Sequence, residues 1–384
     1  MKVALFTLQP LELGGGWERF LINYGKCHTA TRPLDQIAII SVTDSLFHRL
    51  THPFMWMIRR SHLAYVQNRI DPADIYNQCS PVDYHRCNSL DELLVTLSNF
   101  DVIYSKNEFL DLLFLRYFHL RTKVPVIVGT HCAQYYPNPE RSYFRSFRTF
   151  IYVSLLSDLT SRFVGAWHVL NSESRSYVQR WHATKPIATI PYPYVSADRS
   201  RTSKSQPQPP ARSDETVRIL WAGRLTQQKG YRELADIINS LSISNSASIQ
   251  WLIAGSGEDH EQVHRLLGTS PSVHFLGHVS HGGVLDLMNA SDIFLSTSIW
   301  ESWPNVINEA LDSGIIIVAS DIPGHSDMLV NQPHSYLYQT TGHALSILTS
   351  LFSKKLERRD HWLPAVSNSR IVDRMYDELF SHFE

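Results

Sequence analysis

The 384-residue sequence predicts an α/β fold in which two doubly wound parallel sheets follow one another along the chain. Short β-branched and aliphatic runs alternate with longer amphipathic stretches, the pattern of βαβ units. A polar, proline-bearing segment without periodicity interrupts that alternation near the middle. The chain is also longer than one hydrophobic core usually serves. Composition agrees, with 43% hydrophobic and 18% charged residues and with 9 Trp, 17 Tyr and 17 Phe to bury.

In the first half, strands are expected at residues 2–7, 36–41, 101–104, 124–129, 167–170 and 186–190, with helical patterns between them. One helix start is marked by Ser89 followed by Glu92, a capping box ahead of Leu93, Leu94 and Leu97. Residues 197–214 cannot bury a face and are expected to be a linker between domains spanning 1–196 and 215–370. After the linker the alternation restarts, with strands expected at 217–222, 250–254, 273–276, 292–296 and 315–319. In such sheets ligands collect beyond the carboxyl ends of the strands, so the loops there are where chemistry is sought.

The formal net charge is −1, unevenly spread: the first 200 residues carry 21 Lys and Arg against 16 Asp and Glu, the remainder 14 against 20. That excess is too small to argue nucleic acid, but it suits an anionic acceptor or membrane surface. Cys27, Cys79, Cys87 and Cys132 form no CxxC pair and read as buried free thiols. The N-terminus runs directly into a strand without a secretory pattern, and no apolar run is long enough to span a bilayer. A cytoplasmic location is the expectation.

Four loops stand where ligands would collect. Gly14-Gly15-Gly16 precedes a helix whose apolar face includes Phe20, Leu21 and Tyr24, and such a turn brings helix N-terminal amides close to an anion. It serves equally as a tight turn without a ligand, and it lacks the GxGxxG pattern and acidic partner of a dinucleotide site. Gly223-Arg224-Leu225-Thr226-Gln227-Gln228-Lys229-Gly230 brings two cations to one strand end, where they can converge on a diphosphate. Ala254-Gly255-Ser256-Gly257 is another strand-to-helix glycine turn. Glu301-Ser302-Trp303-Pro304-Asn305-Val306-Ile307-Asn308-Glu309 is the most specific. Pro304 is suited to the first turn of a helix, which leaves Glu301 in the entry loop and Glu309 on the helix body. The two carboxylates can then reach two parts of one ligand.

These loops, in this order, resemble the retaining glycosyltransferases of family 4. That resemblance implies the GT-B architecture of two Rossmann-like doubly wound domains facing across a cleft. It extends over nearly the whole chain and is sharpest over residues 219–329. It implies a hexosyltransferase (EC 2.4) in which Arg224 and Lys229 hold the donor diphosphate, Glu301 the sugar hydroxyls and Glu309 the ribose hydroxyls. The backbone over Trp303, Pro304, Asn305 and Val306 would approach the phosphates from a helix N-terminus, with the N–H groups of all but Pro304 as donors, beside Gly223 and Gly255. Gly15 and Gly16 correspond to the family's N-terminal glycine loop, and His131 to a histidine beside the sugar; a core or surface histidine is the alternative for His131. Residues 371–384 resemble the helix that crosses back onto the first domain. Two departures are visible: Tyr192-Pro193 replaces an asparagine-glycine turn, and Ser302-Trp303-Pro304 departs from the family's commonest small-aromatic-glycine form, with a bulky Trp303.

Breaking the anomeric bond puts negative charge on the leaving phosphate, and many sugar transferases meet it with a metal held by Asp-x-Asp. No Asp-x-Asp occurs in this sequence. Metal-independent transfer with no cofactor is therefore expected; the resemblance implies retention, with a UDP- or GDP-linked sugar as donor and a glycan, lipid-linked or small-molecule acceptor. Residues 141–163, with Arg141, Arg145 and Arg148 among aromatics, and residues 52–70, with Trp56, Arg59 and Arg60, suit an anionic membrane surface. They suit as well partly buried helices whose arginines reach solvent. A nucleotide-sugar epimerase and a non-catalytic nucleotide-sugar-binding subunit are the rival readings.

Overall fold

The structure is a computed structural model, which describes residues 1–13, 16–51, 71–130, 162–181, 184–195, 210–211, 213, 216–244, 249–268, 270–353 and 368–383. The chain divides into two compact units, Met1–Val195 with Val366–Glu384, and Ser196–Ala365. Apart from Pro210, Ala211 and Ser213, the expected linker lies outside the described residues. The closing segment groups with the first unit from Val366 onward, five residues before the expected boundary at 371.

In the first unit the strands are β1 (Lys2–Phe6), β2 (Gln36–Val42), β3 (Asp83–Cys87), β4 (Val102–Lys106), β5 (Val126–Thr130), β6 (Val164–Val169) and β7 (Ile187–Thr189). They form one sheet in the order β3-β2-β1-β4-β5-β6-β7, and every recorded pairing is parallel. The central strands are apolar on both faces because helices cover both, which is why they are continuous hydrophobic runs in the sequence. β3, Asp-Tyr-His-Arg-Cys, was not anticipated: it is an edge strand with alternating exposure and polar composition. Ser89 caps helix Leu90–Ser98 as expected, accepting from the Glu92 amide at 3.1 Å. The Glu92 carboxylate reaches back to the Asn88 amide at 2.8 Å.

Phe20, Leu21 and Tyr24 are buried on helix Gly16–Thr31. Phe20 packs with Tyr104 and Tyr192 at ring centroid separations of 5.7 and 4.6 Å. The closing segment, expected as a helix over residues 371–384, is α-helical over Asn368–Met375, continues as a π turn over Tyr376–Phe380 and ends in a 3-10 turn. It is fastened by Arg32, whose guanidinium lies 3.5 Å from the Tyr376 ring centroid, and by Arg374, which donates to the Thr189 carbonyl at 2.8 Å. Cys27, Cys79 and Cys87 are buried free thiols, and burial pushes Cys27 up to about 11 and Cys79 up to about 12. They stay protonated and unreactive. Cys132 lies outside the described residues.

Two histidines are held neutral in this unit. His168 accepts from the Tyr104 hydroxyl at 2.5 Å and donates to the Ile190 carbonyl at 2.8 Å. Burial pulls His168 and His28 down to about 4. Between the ordinary histidine value and about 4, the unfolded chain binds protons that the native state refuses, so stability must rise with pH across that window. The melting temperature is expected to fall as pH drops from about 6.5 to 4, and His168→Gln to flatten that slope. A slope unchanged by the substitution would remove His168 from the account.

The second unit contains β8 (Val217–Ala222), β9 (Ile249–Ala254), β10 (Val273–Gly277), β11 (Ile293–Ser296), β12 (Ile316–Ser320) and β13 (Ser335–Tyr338), paired in parallel in the order β10-β9-β8-β11-β12-β13. Alternate residues of β8 feed two cores. Ile219 and Trp221 join one with Trp251 and Leu234, and Leu220 joins the other with Leu252 and Phe294. β13 was also unanticipated: it is an edge strand of only four residues, Ser-Tyr-Leu-Tyr, of which Tyr338 alone is fully buried.

Candidate functional site

The second sheet changes direction between β8 and β11, since β9 and β10 extend to one side and β12 and β13 to the other. A crevice outside the strand ends at such a reversal is the usual ligand site of an open α/β sheet. The Arg224–Lys229 loop follows β8 and the Glu301 loop follows β11, so the two best sequence signals flank that point.

Backbone amides set the shape of these loops. Gly223 N–H bonds the Ala254 carbonyl at 3.0 Å, and Gly255 N–H bonds the Gly277 carbonyl at 2.7 Å. Leu225 N–H bonds the Ser256 carbonyl at 3.0 Å, so the loops after β8 and β9 run joined. Gly255 has φ of 146°, and a Cβ there would stand 1.8 Å from the Gly223 carbonyl oxygen. The sequence signal at Gly255 therefore records close passage of two backbones.

Lys229 ends a 3-10 turn, Gln227–Lys229, closed by Gly230 at φ of 67°. The turn is bound to the next loop over: Thr297 donates its hydroxyl to the Lys229 carbonyl at 2.8 Å, and Ile299 N–H bonds the Gln228 carbonyl at 2.8 Å. The Lys229 stem passes over Gly223, where an added Cβ would meet it at 3.5 Å, and its ammonium pairs with Glu301 Oε1. Ser298 donates its hydroxyl to the same carboxylate oxygen at 3.1 Å. Arg224, on the same loop, is exposed. Lys229 and Glu301 thus meet, although 72 positions separate them in the chain.

Glu309 lies on helix Asn305–Ser313, whose apolar side buries Ile307, Ala310 and Leu311. Pro304 is the N-cap with β-region backbone and not a first-turn residue; the helix proper begins at Asn305. The Glu309 side chain is only 6% exposed, and its Oε1 lies 3.0 Å from Nδ1 of His281. Sequence reading missed His281, because nothing local distinguishes a histidine at a helix start until Glu309 is seen beside it. Trp303 packs against the Leu220 core, and its indole nitrogen is buried without a hydrogen-bond partner among the described residues. Asn305 and Val306 are half-buried at the helix start.

In the first unit, Gly16 begins its helix, while Gly14, Gly15 and His131 lie outside the described residues. So do residues 52–70, and all of the basic aromatic segment 141–163 except Arg162 and Phe163. Sequence reading also missed a buried charge cluster beyond β1 and β4, where the first sheet reverses. Lys106 donates to Gln9 at 2.9 Å and lies 3.1 Å from Glu108. Asp111 accepts from the Leu8 amide at 2.9 Å. Burial raises the Asp111 and Glu18 carboxyls, opposed by Lys106. Among the described residues, no cluster of three or more His, Cys, Asp or Glu could hold a metal ion, and no helix is long and apolar enough to cross a membrane.

Residues 202–362 match the family model of glycosyl transferases group 1. The second unit is a group 1 glycosyltransferase domain. Every site residue from Gly223 to Glu309 falls inside the matched range. The chain is 29% identical over 198 residues to the phosphatidylinositol N-acetylglucosaminyltransferase GPI3 subunit of Saccharomyces cerevisiae, a match over 50% of this chain and 42% of that protein. It is 23% identical over 270 residues to a GDP-mannose-dependent alpha-mannosyltransferase of Mycolicibacterium smegmatis, covering 67% of this chain and 69% of the relative. Among solved structures, Anabaena HepE in complex with UDP and glucose superposes with a TM-score of 0.63 at 16% identity, over 98% of this chain and 95% of that one. The chain therefore has the GT-B fold. The alignment with the GPI3 subunit spans less than half of that relative's length.

Proposed function

We propose that this chain is a glycosyltransferase whose group 1 domain holds a nucleotide-diphosphate sugar, and which transfers that sugar with retention and without a divalent ion. One observation carries the reading: Lys229 and Glu301, from loops after two different strands, meet where the sheet reverses, and Glu309 stands on the helix that follows Glu301. Arg224 and Lys229 are cations suited to the charge that grows on the leaving phosphate, and amides at the start of helix Asn305–Ser313 add to them. Preorganised donors of this kind are worth roughly 3–4 kcal/mol each on removal. Glu301 is suited to the sugar hydroxyls and Glu309 to the ribose. The route we favour lets the leaving phosphate take the acceptor proton, with no covalent enzyme intermediate.

A UDP- or GDP-linked hexose is the proposed donor, in keeping with the UDP of HepE and the GDP-mannose of the mycobacterial relative. For the acceptor we propose a glycan or a lipid-linked molecule at the cytoplasmic face of a membrane, touched peripherally. The yeast relative is named as a subunit of a phosphatidylinositol N-acetylglucosaminyltransferase, which favours one second reading: a nucleotide-sugar-binding subunit of a larger enzyme. Product analysis with and without acceptor separates the two.

Thermal melts with UDP-, GDP- and ADP-sugars test the donor reading, because a ligand selective for the native state raises the melting temperature by mass action. A rise with one nucleotide class, undiminished in EDTA, is the expected outcome. No rise with any of them would refute the donor site; a rise lost in EDTA and regained with manganese would refute metal independence.

A further inference from the structure

His325 has no place in the donor reading above, yet it is fully buried two residues into helix Pro323–Leu329 and linked to Glu301 by three hydrogen bonds relayed through the residues Ser320 and Ser298. Its Nδ1 lies 2.8 Å from the Ser320 carbonyl, which can only accept, so that nitrogen carries the proton. Burial pulls the ring down to about 4, which leaves it neutral near pH 7. Nε2 is then an acceptor, and the Ser296 hydroxyl lies 3.2 Å from it. Ser320 donates its own hydroxyl to the Ser298 carbonyl at 2.6 Å, and Ser298 donates to Glu301 Oε1 at 3.1 Å. The imidazole therefore holds the ends of β11 and β12 together at the root of the Glu301 loop. A second contact points the same way: a Cβ on Gly324 would stand 2.2 Å from the Glu301 carbonyl, so this helix start bears directly on the Glu301 backbone.

We propose that His325 is a positioning residue that, through Ser320 and Ser298, fixes the Glu301 carboxylate for the donor sugar. The inference rests on the donor reading and goes beyond it by separating recognition of sugar from recognition of nucleotide. In the free protein Lys229 also holds Glu301. Lysine is a point charge on a flexible stem, and a bound diphosphate competes for it. Once Lys229 turns to the phosphates, the Ser298 hydroxyl is what keeps the carboxylate in place. Losing the strut should therefore cost the sugar contacts while sparing those to the diphosphate.

The test is calorimetric titration of UDP, GDP, UDP-glucose and GDP-mannose into wild type, His325→Leu, His325→Asn and Ser298→Ala. For whichever nucleotide binds, wild type should prefer the sugar-bearing form. His325→Leu and Ser298→Ala should each reduce that preference about tenfold, the scale of one hydrogen bond to a charged group, with bare-nucleotide affinity within about twofold of wild type. His325→Asn should restore the preference, because its amide nitrogen can donate to the Ser320 carbonyl. A preference unchanged in Ser298→Ala overturns the strut even where His325→Leu fails to fold, and so does His325→Asn behaving like His325→Leu. Wild type that binds none of the four ligands refutes the donor reading itself, a different and recognisable outcome.

Discussion

Lys229→Ala is expected to lower kcat/KM for sugar transfer by about 10³-fold and to weaken binding of the bare nucleoside diphosphate. The first part follows from removing a preorganised cation aimed at developing phosphate charge, typically 10²–10³-fold for one such donor. The second follows from the pair in the free protein. Glu301 is only 10% exposed and shares its Oε1 with Lys229 and Ser298, so truncating the lysine leaves a poorly solvated negative charge facing an incoming dianion. The double variant Lys229→Ala with Glu301→Gln removes that repulsion and should recover part of the nucleotide affinity without recovering turnover. Glu301→Gln alone frees the ammonium and should bind the bare nucleotide at least as tightly as wild type while losing transfer. A double-mutant cycle read by calorimetry and by initial rates isolates the coupling. Turnover of folded Lys229→Ala within about threefold of wild type would show that the diphosphate is held elsewhere.

Gly255→Ala should have the largest effect on stability. The added methyl would stand 1.8 Å from the Gly223 carbonyl at a backbone φ of 146°, so two joined main chains would have to separate. A cost of about 4 kcal/mol or more is expected, in the range reserved for named backbone or core disruptions, and a fall in melting temperature of about 10 °C for a domain of this size. Gly223→Ala is the control. The nearest atoms to its methyl would be those of the Lys229 stem, at an ordinary 3.5 Å, and its melting temperature should stay within about 2 °C of wild type. Similar melting temperatures for the two variants would refute the steric account.

The central strands were legible because a parallel strand covered on both faces must be apolar along its length, as Ile37 to Ile40 and Ile315 to Val318 are. β3 and β13 escaped notice for the complementary reason: an edge strand need bury little, and Asp83 to Cys87 is polar in all but one or two positions. Arg224, Lys229, Glu301 and Glu309 were legible by their spacing and residue types, and the structure brings Lys229 and Glu301 into contact. His281, His325 and Lys106 were not legible. Each is defined by a partner met across the fold, Glu309, Ser296 and Gln9 respectively, and no local pattern announces such a pairing. Pro304 shows the limit of local rules in a smaller way, since its fixed φ suits a helix start whether it occupies the cap or the first turn.

The loops after β8 and β9 are fastened to each other by peptide groups, which every amino acid carries. Where the ammonium of Lys229 is presented is thus inherited from main-chain geometry, which a change of side chain at a half-buried neighbour such as Thr226 need not alter. Substitution should be tolerated along this rim and refused at Gly230 and Gly255, where a methyl would enter a carbonyl. An architecture held in that way can keep its grip on one half of a ligand while the side chains that choose the other half are exchanged.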